Sequence, residues 1–126
     1  MPWEGRAPLA SHPGLDHGEE WELVAPSEIA HPNAFAAPRA LSIANIDELI
    51  EGYGAAVERV KTAGFDVLEI HAAHGYLVHQ FLSPLSNRRT DKYGSSADKR
   101  MRFALDVVDR VRGQVRGQVC QSSIVL

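Results

Sequence analysis

The residues best equipped for chemistry stand together in one run, Glu69-Ile70-His71-Ala72-Ala73-His74-Gly75-Tyr76. Two imidazoles and a phenol within six positions offer N–H donors and a proton source. Ala72, Ala73 and Gly75 are small enough to let a bulky ligand come close to the backbone. If His71 and His74 both aim an N–H at one carbonyl oxygen, its conjugated carbon becomes more electrophilic, and the donors strengthen as the oxygen turns into an enolate. Tyr76 is then the candidate proton donor. Spacing alone leaves two other readings open. His71, His74 and His79 could ligate zinc, although helical metal pairs prefer a four-residue step with a carboxylate between them, and Glu69 precedes the pair instead. Alternatively, both histidines are satisfied packing residues and Tyr76 is a wall contact.

The elements that must position this run follow from periodicity. Ile46, Leu49, Ile50, Tyr53, Val57 and Val60 recur at three- and four-residue steps, which predicts an amphipathic helix over 45–63. Asn45 with Glu48 resembles a capping box, with Ser42 as a competing cap, and Gly64 is the expected left-handed terminator. Phe65-Asp66-Val67-Leu68-Glu69-Ile70 is short and rich in branched apolar residues, which predicts a buried strand over 65–71 that delivers His71. A short helix over 76–82 should stop at Ser83-Pro84. Ser96 and Asp98 then start a second long helix over 97–112, with Phe103, Val107, Val108 and Val111 on one face. Helix, strand, helix is the unit of parallel α/β sheets and barrels, whose active sites sit at the C-terminal ends of the strands.

The flanks read differently. Six of the seven prolines fall between Pro2 and Pro38, so residues 1–41 are expected to be mostly loop, with at most a short strand around 21–24. Residues 113–126 repeat Gly-Gln-Val and then turn polar, which predicts that the helix ends at 112 and that an atypical tail, unlike a barrel strand, follows. Truncation or a changed reading frame is the expectation there.

Composition narrows the function classes. With 126 residues, 44% hydrophobic and 23% charged, the chain has the balance of one globular domain. A net charge of -3 gives no basic footprint for nucleic acid, and no apolar run approaches the ~20 residues a membrane helix needs. No secretion signal is evident at the start, so a cytoplasmic address is expected. Cys120 has no cysteine to pair with and reads as inert. Arg89, Asp91 and Tyr93 read as a loop scaffold, and Arg88, Arg100 and Arg102 as a solvated helix start; Gly5-Arg6 is too short a signal for a phosphate grip.

His71-Ala72-Ala73-His74-Gly75-Tyr76-Leu77, Gln80-Phe81-Leu82-Ser83-Pro84-Leu85-Ser86-Asn87, Arg89-Thr90-Asp91, Tyr93-Gly94, Arg100 and Arg102-Phe103 together resemble the signature run of the Old Yellow Enzyme family, in the bacterial subgroup with histidine at both positions of the pair. Pro2-Trp3-Glu4-Gly5 and Val24-Ala25-Pro26-Ser27 are similar to that family's loop after its third strand. The resemblance covers about residues 1–112 and departs from the pattern at Ser95, where relatives have glycine. It implies part of an FMN-binding (β/α)8 TIM barrel that takes hydride from NAD(P)H and reduces α,β-unsaturated carbonyl compounds. Carried over by position, His71 and His74 hold the substrate carbonyl, His71 also lies near FMN, Tyr76 donates the proton, and no metal is used. A barrel takes about 250 residues, so the expectation is a fragment, inactive by itself, that needs the missing barrel portion or a homo-oligomer. The alternative expectation is a non-catalytic barrel remnant that binds another polypeptide.

Overall fold

The computed structural model describes residues 22–30, 37–115 and the backbone of 121–125. Arg6 and Cys120, and most of the expected N-terminal loop, lie outside the described residues. The element order is β1 (Val24–Ala25), β2 (Arg39–Ala40), α1 (Ile43–Thr62), β3 (Val67–His71), α2 (Leu77–Leu82), α3 (Ala97–Val115) and β4 (Gln121–Val125). β1 pairs in parallel with β2, and β3 in parallel with β4, so α3 serves as a crossover between the strands of the second sheet.

α1 begins one turn earlier than the Asn45 cap implies. Ser42 is the N-cap: its Oγ accepts from the Asn45 N–H at 3.1 Å, and the Asn45 side chain reaches back to the Ser42 N–H at 3.3 Å. Asn45 thus fills the third position of the box, and Asp47 and Glu48 fall beyond the first turn. At the far end Gly64 takes φ 78°, the left-handed conformation that closes a helix at low cost when no Cβ is present. Gly54 sits where α1 meets α3. The Arg110 guanidinium lies across it, 2.6 Å from where a Cβ would stand, and ion-pairs with Glu51 at 2.8 Å.

Two expectations fail at the C-terminal end. α3 runs through Gly113 to Val115 rather than stopping at 112, because one glycine costs a helix only about 1 kcal/mol relative to alanine and a neighbouring face can outweigh it. Residues 121–125 form β4, with Val67 opposite Gln121 and His71 opposite Val125. The expected tail is therefore a strand in its final part, held by a ladder with β3 that the local sequence does not encode.

Ile46 and Val57 of α1, Ile70 of β3, Val78 and Phe81 of α2, and Phe103, Val107 and Val111 of α3 make one buried cluster. Phe81 stacks against Phe103 at 4.3 Å between ring centroids. β3 is covered on one face only: Leu68 and Ile70 turn towards the helices, whereas Val67 and Glu69 are exposed. The expected fully buried strand is therefore half-buried, and alternation puts His71 on the open face with Val67 and Glu69.

The loop between α2 and α3 is held by Asn87 and Arg89. Buried Asn87 donates from Nδ2 to the carbonyls of Phe81 (2.7 Å) and Tyr93 (2.8 Å) and accepts the Arg89 N–H. The Arg89 guanidinium donates to the carbonyls of Pro26 and Leu41 and grips Asp91, fastening the loop to the β1 and β2 segments. These residues form a scaffold, as their turn chemistry suggests. Arg100 departs from the reading as a solvated side chain: it donates to the carbonyls of Leu82 and Ser95, tying the end of α2 to the start of α3. Ser95 has φ 67°, so serine occupies a left-handed position that favours glycine.

Candidate functional site

β3 ends at His71, and the chain turns sharply through buried Ala72 and Ala73 before α2 begins. The reversal uses two consecutive left-handed residues, His74 at φ 56° and Gly75 at φ 75°. Glycine suits that region; histidine enters it at a cost of about 1–2 kcal/mol. Two side chains from α2 hold the turn. The Gly75 N–H donates to His79 Nδ1 at 2.9 Å, and Gln80 Nε2 donates to the Gly75 carbonyl at 2.9 Å. The histidine spacing points to His79 only as a metal ligand, and Gln80 stands in the motif run with no role assigned to it. The available signal was a pair of hydrogen-bonding side chains four and five residues after a turn glycine.

The turn brings all three predicted site residues together. His71 and His74 lie with ring centroids 4.9 Å apart, and the Tyr76 ring stands edge-on to His71 at 5.5 Å. His74 and Tyr76 are exposed, Tyr76 at 65%, and His71 is partly so. A Cβ built on Gly75 meets nothing within 4 Å, so the backbone there is open to a ligand.

The expected convergence of two N–H groups takes a different form. His71 Nε2 and His74 Nδ1 face each other at 3.2 Å, so one ring donates and the other accepts. With both rings neutral, the pair shows one N–H and one bare nitrogen outwards. The rings satisfy each other because an exposed left-handed turn brings them within reach. A ligand oxygen can take over the accepting role: if the accepting ring moves its proton to the inner nitrogen, His71 Nε2–H and His74 Nδ1–H both point inwards as neutral donors. Among the described residues no three His, Cys, Asp or Glu side chains converge as a metal-binding set, and His79 commits Nδ1 to the turn.

The profile of the NADH:flavin oxidoreductase / NADH oxidase family matches residues 10–124. The chain belongs to this family. That agrees with the Old Yellow Enzyme resemblance of the motif run and extends past residue 112, where the sequence reading set the limit. Among its relatives is the NADPH dehydrogenase of Bacillus subtilis, 47% identical over 102 residues that make up 81% of this chain and 30% of the relative. An NADH:flavin oxidoreductase of Gibberella zeae is 51% identical over 94 residues, 74% of this chain and 23% of the relative. Of solved structures, morphinone reductase in complex with tetrahydroNAD superposes with a TM-score of 0.75 at 36% identity, covering 82% of this chain and 33% of that one. Histamine dehydrogenase from Rhizobium sp. 4-9 gives 0.73 at 35% identity, covering 80% and 16%. The chain thus spans about 30% of the length of the NADPH dehydrogenase it matches, and its architecture is part of a TIM barrel. In that frame His71 stands at the C-terminal end of β3, the end of a barrel strand at which such enzymes place their chemistry. None of the described helices is long and apolar enough to cross a membrane.

Proposed function

We propose that the chain is the carbonyl-binding portion of an FMN-dependent NAD(P)H oxidoreductase that reduces α,β-unsaturated carbonyl compounds. One observation carries this reading: the His71–His74 contact at the mouth of a barrel strand, in a member of a flavin oxidoreductase family. The open backbone at Gly75 and the exposed ring edges of His71 and His74 suit a flat ring with a substrate layered on it. FMN, when bound, supplies hydride to the β-carbon of the substrate after being charged by NAD(P)H. This chain's own residues do the rest. His71 Nε2–H and His74 Nδ1–H take the substrate carbonyl in place of their mutual bond and stabilise the charge that develops on its oxygen. Tyr76, exposed beside His71, delivers a proton to the α-carbon from its hydroxyl. Gly75, held from α2, keeps His74 and Tyr76 on the same side of the turn.

The test is an exchange in which the matching segment of the Bacillus subtilis NADPH dehydrogenase is replaced by this chain's residues. The chimera should retain FMN and reduce cyclohexenone with NADPH. His74→Ala in that background should lower kcat/KM for the enone by about 10²-fold, as loss of an oxyanion donor does, while flavin content stays level. A chimera that is yellow yet inert towards enones, or a His74→Ala variant that loses flavin and enone reduction together, removes the assignment. Tyr76→Phe should reduce kcat by at least about 10²-fold with KM little changed; an unaltered kcat makes Tyr76 a wall residue.

A further inference from the structure

A cavity of about 650 Å³ opens beside the same turn, between the β1 segment and α2. Gly75 and His79 line it, whereas His71, His74 and Tyr76 do not, so it is separate from the carbonyl site although both share one loop. Its wall is apolar, and much of that wall is uncovered: Leu23 and Ile29 are each 41% exposed and Leu85 77%. Among the described residues no charged side chain lines it.

The polar groups at this cavity are few, and their hydrogen bonds show what they have left to give. His79 Nδ1 accepts from Gly75, so the neutral ring carries its hydrogen on Nε2. Ser27 Oγ accepts the Arg88 N–H and Ser83 Oγ accepts the Leu85 N–H, which leaves both hydroxyl hydrogens to donate. Gln80 Oε1 has no partner but is sealed from solvent, so it does not offer itself to a ligand. Ser86 Oγ spends its hydrogen on the Gln80 carbonyl, so the spare donors of the described side chains are one imidazole N–H, two hydroxyl hydrogens and the second Gln80 Nε2 hydrogen, in a wall whose described side chains are uncharged. Such a lining matches an apolar body with an acceptor oxygen, because an ion would lose its hydration with no counter-charge in return.

We infer that the cavity lined by His79, Ser27 and Ser83 is a second binding site, for an uncharged and largely apolar molecule bearing a carbonyl oxygen. Its occupant sits against the hydrogen-bond partner of Gly75 rather than against the His71–His74 pair.

Camphor, a saturated ketone that offers no activated double bond, is the probe. It is titrated into the 126-residue chain without flavin, and the ring carbon-bound protons of His71, His74 and His79 are followed by NMR. The expected result is a saturable shift of the His79 resonance with little movement of the other two, and about five-fold weaker binding of bornane, the same skeleton without the oxygen. Ala30→Trp, which fills the cavity from an exposed wall position, should weaken camphor at least ten-fold while His71 and His74 keep their resonances. Nuclear Overhauser contacts from camphor methyls to Ile29 and Leu85 decide the matter in the unaltered chain should that variant not fold. Absence of saturable binding, equal affinity for bornane, contacts to His71 instead of His79, or camphor binding that survives Ala30→Trp overturns the site. None of these readouts depends on flavin or turnover, so they fail or succeed apart from the proposed activity.

Discussion

His74 is the residue at which backbone and chemistry meet. Its φ of 56° is tolerated by asparagine and glycine far better than by a branched side chain. His74→Asn should therefore fold at least as stably as the parent and keep a donor near His71, whereas His74→Val should lose roughly 1–2 kcal/mol beyond the lost hydrogen bond. Urea midpoints of the two variants check this, and equal midpoints would show that the left-handed turn is not what restricts the position. That His71, His74 and Tyr76 would gather was legible in the sequence, because an apolar strand bounded by Gly75 and followed by a short helix calls for a turn between them. How the two rings address each other was not. Their bond depends on the left-handed step at His74, which a histidine at that position announces only weakly.

At the scale of elements, the loop between α2 and α3 is more tightly specified than its polar composition suggests. Gly94 lies so close to Arg89 that an added Cβ would stand 2.3 Å from the Arg89 carbonyl oxygen, a backbone atom that cannot swing away. Gly94→Ala should displace Arg89 from the carbonyls of Pro26 and Leu41 and destabilise the chain by about 2–4 kcal/mol, in the range of overpacking with buried bonds broken. Gly54→Ala meets instead the tip of the flexible Arg110 side chain, which can move, so helix propensity should offset the displaced ion pair and leave stability within about 1 kcal/mol. Thermal melts of both variants separate the cases; a benign Gly94→Ala would mean that the loop does not depend on this contact. The same contrast accounts for which elements could be read beforehand. α1, β3 and α3 carry their own periodicity and caps. β4 reads Gln-Ser-Ser-Ile-Val and is a strand because β3 offers it a ladder, and α3 passes Gly113 because its buried face outweighs the small cost of one glycine.

In the molecule as a whole the helices cover one face of β3, so stability rests on the cluster beneath them and on the few polar groups that cluster encloses. Tyr93 is 1% exposed, packs edge-on against Phe81, and donates its hydroxyl to Asp106 on α3 at 3.1 Å. Burial pushes its phenol well above the ordinary tyrosine range, and the Asp106 carboxylate adds to the effect. Burial raises Tyr53 as well. Both phenols thus hold their protons more tightly folded than unfolded, so their contribution is present in full below about pH 10, where the unfolded chain starts to ionise. As pH climbs past that value the unfolded state releases protons that the folded state retains, and stability falls by up to about 1.4 kcal/mol per pH unit for each such group. Tyr93→Phe should be less stable than the parent at pH 8 by about 1–2 kcal/mol, through the lost bond to Asp106, yet should lose less on going from pH 9.5 to pH 11. Urea midpoints at those three pH values test the crossing trend. Parallel losses in the two proteins would show that Tyr93 ionises as readily in the folded chain as in the unfolded one, and that the alkaline limit is set by other groups.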